Sequence, residues 1–127
     1  MANVYTKVIT QQGDRNLTLK LTGVLDTSNE AYNIKLALAD STDITATGFR
    51  LNRILFSVSD PLEIQLYWDA PTKQIILPIA GRGTMNFKDF GGLNNSGVAN
   101  ATGAVGLLTS GWTAGTATYL VIMEFIK

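Results

Sequence analysis

The stretch Leu62-Glu63-Ile64-Gln65-Leu66-Tyr67-Trp68-Asp69 decides the fold. Leu62, Ile64, Leu66 and Trp68 fall on one side of an extended chain, and Glu63, Gln65, Tyr67 and Asp69 fall on the other. A period of two is the signature of a strand with one dry face and one wet face. Asp60-Pro61 before it and Ala70-Pro71-Thr72-Lys73 after it read as turns.

The same period recurs outward in both directions. Leu17, Leu19 and Leu21 alternate with Thr18, Lys20 and Thr22, and Gly23 reads as a bulge or bend before Val24 and Leu25. Residues 4–10 are rich in β-branched side chains and predict a first strand, closed by a turn at 11–14. Residues 117–126 predict a last strand with Tyr119, Val121, Met123 and Phe125 on one face. Its other face carries Thr118, Leu120, Ile122, Glu124 and Ile126. Apolar residues on both sides imply a central strand, or a strand with one face in a subunit interface.

Further strands are predicted over residues 49–58, 74–79, 84–87 and 105–108. Ile54, Phe56 and Val58 share a face of the first, and Pro78 requires an edge or bulge in the second. Over residues 31–38 a helix competes, because Ala, Leu and Lys are good helix formers. The alternation of Tyr32, Ile34, Leu36 and Leu38 favours a strand with those four on one face. Eight or nine short strands, no internal repeat and no break in composition predict a single domain over residues 1–127. The expected class is all-β, an antiparallel β-sandwich of jelly-roll type.

The chain of 127 residues contains no histidine and no cysteine. Histidine is the usual general base near neutral pH and the commonest metal ligand, and cysteine supplies the thiolate nucleophile and the soft metal site. Most familiar catalytic constellations therefore cannot be built, and the expectation is a structural or binding protein that is not an enzyme and carries no cofactor. Paired carboxylates could run a glycosidase without histidine. Glu63 and Asp69, however, lie six residues apart on one strand face, ~20 Å at the usual rise. Oxygen ligands in the loop from Asp89 to Asn100 suit calcium, but Asp89 is the one charged residue among them, and turn chemistry accounts for the Gly and Asn residues there. Gly81-Arg82-Gly83 lacks the lysine and the following helix of a phosphate loop.

Ten basic and ten acidic residues cancel, which argues against nucleic acid or an anionic membrane as a partner selected by bulk charge. Arg50 and Arg53 read as two solvated arginines on a strand edge. Charged residues make up 16% of the chain and hydrophobic ones 46%, against a usual charged share of about 25%. A surface this poor in charge tends to self-associate, so a homo-oligomer is expected. No stretch has the ~20 apolar residues of a spanning helix, and the N-terminus lacks the pattern of a signal peptide, so synthesis and folding in a cytoplasm are expected.

Residues 88–103 form the longest irregular segment. With the N-terminal residues Met1 to Tyr5, they are expected to make contacts outside their own subunit. The candidate interface residues are Tyr5, Phe90, Leu93, Asn94, Asn95 and Trp112. Trp68 reads as core. Trp112 sits in a glycine-flanked turn and is either a plug over the end of the sandwich or an exposed contact.

The β-rich start, the run Ile64-Gln65-Leu66-Tyr67-Trp68-Asp69-Ala70, the Gly91-Gly92-Leu93 loop and the ending Gly115-Thr116-Ala117-Thr118-Tyr119-Leu120-Val121-Ile122 together resemble small virion proteins of tailed bacteriophages, capsid decoration (cement) proteins in particular. The resemblance spans most of the chain and rests on texture and short segments. It implies a compact jelly-roll-like fold and a homotrimer at threefold positions on the outside of the head. It also implies the major capsid protein as partner and the virion surface as location, the chain being made in the bacterial host. Two other readings are a tail or baseplate component, and a carbohydrate-binding module that stacks sugars on Trp112, Phe90 or Tyr67.

Overall fold

The computed structural model describes residues 4–12, 16–26, 28–37, 49–59, 62–93, 102–113 and 115–126, with backbone alone for Gln11 and Phe90. Leu38, Asn94 and Asn95, and most of the predicted loop from 88 to 103, lie outside the described residues. Nine strands are present among them: β1 (Val4–Gln12), β2 (Asn16–Leu25), β3 (Asn33–Leu36), β4 (Arg50–Val58), β5 (Glu63–Trp68), β6 (Gln74–Ile79), β7 (Arg82–Asn86), β8 (Val105–Ser110) and β9 (Ala117–Ile126). Among the described residues, a 3-10 turn covers Lys88–Phe90.

The strands form two antiparallel sheets, ordered β1-β2-β9-β4-β7 and β3-β8-β5-β6. The β1–β2 and β5–β6 connections stay within a sheet, and every other one crosses to the opposite sheet. Without β1, the orders β2-β9-β4-β7 and β3-β8-β5-β6 are the two four-stranded sheets of a jelly roll. The fold is thus a jelly-roll β-sandwich, with β1 added as an outer strand of the larger sheet.

Inward-facing side chains interdigitate between the sheets. Leu17, Leu19 and Leu21 of β2 meet Val121, Met123 and Phe125 of β9, Ile54 and Phe56 of β4, and Ile64, Leu66 and Trp68 of β5 in one cluster. Phe49 and Phe125 pack edge to face, with ring centroids 5.7 Å apart. β9 is central, between β2 and β4. Trp68 is core, and Pro78 lies exposed on β6, an edge strand, where its missing N–H costs no ladder bond.

Four departures from the sequence pattern have physical causes. In β3 a bulge falls between Ile34 and Leu36, so Lys35 is the extra residue. Tyr32, Ile34 and Leu36 therefore do not share a face: Ile34 is exposed, while Lys35 and Leu36 are both buried. A second bulge, between Leu51 and Arg53, buries Asn52 and turns Arg50 and Arg53 outward together. β4 lies between β9 and β7, so these arginines sit in the interior of a sheet face and not on an edge. Gly23 makes no bulge, because β2 pairs with β9 without interruption from Asn16 to Leu25. The glycine is there because a Cβ would overlap the Tyr119 ring lying across it. Finally, β1 runs through Gln12 past the predicted turn, and β7 and β8 occupy Arg82–Asn86 and Val105–Ser110 in place of residues 84–87 and 105–108.

Candidate interaction surface

Paired residues in neighbouring strands point to the same face, so the registers define the outer surface of the larger sheet. One row crosses all five strands: Val8, Lys20, Ile122, Leu55 and Thr84. The next row is Thr6, Thr22, Leu120, Ser57 and Arg82. Val4 and Val24 continue the surface on one side, and Thr18, Glu124, Arg53 and Asn86 on the other. Outer faces of antiparallel sandwiches are normally polar. Here Leu120, Ile122 and Leu55 form an apolar centre beside Lys20, and Leu55 is 43% exposed and Val8 45%. A shallow groove of about 450 Å³ runs between Thr18, Arg53, Leu55, Thr84, Ile122 and Glu124. Arg53 donates from Nη2 to Glu124 Oε2 at 3.0 Å, and Lys88 Nζ lies 4.0 Å from Glu124 Oε1.

The outer face of the smaller sheet also exposes Ile34 and Ile75, in one row with Gly106 and Tyr67, but is otherwise different. Its polar groups satisfy one another. Tyr32 stands over Gly106, donates from its hydroxyl to Asp69 Oδ1 at 2.7 Å, and meets the Tyr67 ring edge to face at 6.0 Å. Thr102 donates to Asp69 Oδ2 at 2.8 Å, and Tyr67 to Gln65 Oε1 at 2.7 Å. Lys73 Nζ lies 4.7 Å from the centre of the Tyr32 ring. This is a knitted surface that fastens the segment before β3 to the sheet.

A third cluster lies between the sheets, where β1 and β3 approach. Lys35 is 1% exposed, and its Nζ lies 2.6 Å from Glu30 Oε2. Neither atom has another polar partner among the described residues. Tyr119 donates its hydroxyl to Glu30 Oε1 at 2.9 Å, and the Lys35 ammonium sits 3.2 Å from the centre of the Tyr5 ring. Glu30 is held in place through its backbone, which exchanges hydrogen bonds with Thr109. Burial, then the Glu30 charge and hydrogen bond, push the Tyr119 hydroxyl well above its ordinary 10.0. Burial, then the hydrogen bond to Asp69, raise Tyr32 likewise.

Both tyrosines are therefore expected to stay protonated in the folded protein when exposed phenols ionise. A raised folded-state value contributes stability that is intact below pH about 10 and is lost as the pH climbs beyond it. Absorbance titration at 295 nm should show these two phenols ionising only with unfolding. Four phenols titrating together near pH 10 with the fold intact would contradict the two hydrogen bonds.

The sequence-derived candidates are scattered over these features. Tyr5, on β1, is half exposed and packs under Lys35. Leu93 forms an isolated bridge with Leu51, with two backbone bonds of 2.8 Å, and is half-buried against the core. Trp112 is also half-buried against the core; its N–H donates to Asn29 Oδ1 and its indole Nε1 to Gly115 O. Phe90 ends the 3-10 turn. Leu93 lies at the Phe125 end of β9 and Tyr5 at the Tyr119 end, so these two do not share a patch. Val8, Leu55, Leu120 and Ile122 fall outside the sequence-derived set, although apolar residues on both faces of β9 are a signal for them.

Among the described residues, no three carboxylates approach closely enough to hold a metal ion. No described helix is long and apolar enough to cross a membrane.

Strand order alone defines the class, a jelly-roll β-sandwich. No protein-family model matches the chain, and no curated protein matches it. Among solved structures, a cupin superfamily protein from Desulfitobacterium hafniense is similar over 97% of this chain and 79% of that one, at 10% identity and a TM-score of 0.35. A likeness at that level carries no argument about function.

Proposed function

We propose that this chain is a non-enzymatic structural protein of a tailed-bacteriophage virion. It decorates the outside of the expanded head as a homotrimer at threefold positions and cements the major capsid protein. The observation that carries the reading is the outer face of the larger sheet: a grooved surface with an apolar centre that no other described residue covers, on a chain poor in charge. Contiguous exposed apolar surface of this kind marks an interaction site. The jelly roll supplies the rigid frame, and the lack of histidine and cysteine is compatible with a role that needs complementary surface and no chemistry.

A protein that binds the expanded lattice and not its precursor stabilises the expanded state by mass action. Three linked subunits add avidity, since each engages its own site. The test is co-sedimentation of the purified chain with emptied expanded heads and with unexpanded precursor shells from the virus that encodes it. Saturable pelleting with expanded heads alone, by a species of three-chain mass, is expected. A monomer that stays in the supernatant with both would overturn the reading.

A further inference from the structure

The chain has no net charge, but its charge is unevenly distributed. The outward positions of the larger sheet carry Lys20 on β2, Arg50 and Arg53 on β4, and Arg82 on β7. Lys88 reaches the same face from the 3-10 turn, since its Nζ approaches Glu124. Glu124 is the one carboxylate that these strands present outward, and Arg53 already holds it. Lys20, Arg50 and Arg82 have no acidic partner on this face among the described residues. Leu55, Leu120 and Ile122 lie between Lys20 on one side and Arg82 on the other, with Arg53 and Arg50 at one end, and Val8 and Val24 flank Lys20 toward β1 and along β2. The face is an apolar strip with a basic border.

We propose that this face docks an acidic protein surface: an apolar ridge flanked by carboxylates on a chain other than this one. The reading gives chemistry to the partner named above, and rests on it only for where that partner is found. A second copy does not fit. Two-fold packing of the face on itself would set Lys20, Arg50 and Arg82 among their own duplicates, and like charges across an interface cost several kcal/mol. Face-to-back packing fares no better. The outer side of the smaller sheet offers Glu63 but also Lys73, and its Asp69 is already bound by Tyr32 and Thr102.

A nucleic-acid backbone would satisfy the cations but leave the central leucines and isoleucine facing a hydrated phosphate track. A bilayer would need side chains long enough to enter it. The outward positions carry no aromatic residue, and threonines stand level with the aliphatic ones. A protein ridge can satisfy both zones at once: apolar contact in the centre supplies affinity, and ion pairs at the rim set orientation and approach rate.

The test uses the intact chain and two variants, Lys20→Glu/Arg82→Glu and Leu55→Ser. All substituted side chains lie outside the core, and unchanged circular dichroism and oligomer mass would confirm that each variant folds. Binding is measured to expanded heads, to an alternating Glu–Leu peptide followed by backbone amide shifts, to an alternating Lys–Leu peptide, to a single-stranded oligonucleotide, and to vesicles containing phosphatidylserine. The Glu–Leu peptide is expected to shift amides of β2, β4 and β9. The double charge reversal should weaken peptide and head binding at least about tenfold, Leu55→Ser severalfold, and 0.5 M salt should weaken the wild type. Peptide binding at this face without head binding would sink the virion role and leave the docking chemistry standing. Head binding unaffected by the charge reversal would do the reverse. Equal or tighter binding of the Lys–Leu peptide, the oligonucleotide or the vesicles, or absence of Glu–Leu shifts on these strands, would overturn the proposal.

Discussion

Lys35→Met is expected to cost about 3–5 kcal/mol of folding stability, the usual penalty for breaking a buried ion pair from one side. Lys35 is buried, and Glu30 Oε2 has it as sole polar partner among the described residues. Methionine fills most of the space but leaves a buried carboxylate facing an apolar group. The Tyr119 hydroxyl still serves Oε1 and cannot reach the need of the other oxygen. The double variant Glu30→Gln/Lys35→Met removes both charges, retains an acceptor for Tyr119, and should recover all but about 1–2 kcal/mol. Urea denaturation followed by tryptophan fluorescence at fixed protein concentration measures both. A loss below about 1 kcal/mol in Lys35→Met would mean that the pair does not hold β3 to its neighbours as described.

Gly23→Ala is expected to destabilise by about 2–3 kcal/mol, at the upper end of ordinary overpacking. The new methyl group would occupy space held by the Tyr119 ring. That ring is 3% exposed, enclosed between the sheets and tied to Glu30, so it cannot swing aside. Gly106→Ala is the control. There the overlap is with Tyr32, whose ring lies half-buried on the outer surface and can rotate away at the loss of one hydrogen bond to Asp69. Its cost should stay near about 1 kcal/mol. The penalty of Gly23→Ala should largely vanish when introduced into Tyr119→Ala, because the two changes act on one volume. Additive losses in the double variant would show that the glycine serves some other purpose.

These two sites also show what was legible in the sequence and what was not. β2, β5 and β9 were readable because each pairs without a register shift along one side at least, so period two in sequence stays period two in space. β3 was not. Its bulge inserts Lys35 into the interior, and a lysine at an inward position has no signature when its partner, Glu30, lies outside the strand. Gly23 was visible as an anomaly in a strand, but the reason for it is a ring 96 residues away in sequence on β9.

The candidate surface was half legible. Apolar residues on both faces of β9 pointed to an interface, and β9 proves central, with Leu120 and Ile122 partly exposed on its outer side. The basic border was invisible. Lys20, Arg50 and Arg82 come from three strands, and only the strand order brings them to one face. Leu93 and Trp112 were nominated for their place in glycine-rich turns, and both fold back against the core.

The most direct test of the proposed function is a cryo-electron microscopy reconstruction of tailed-phage heads proposed to carry this chain. Trimeric jelly-roll density is expected on the outside of the head at threefold positions, with the β1-β2-β9-β4-β7 sheet turned toward a carboxylate-bearing ridge of the shell protein. Heads bare of this density, or decorated through the opposite sheet, would contradict it.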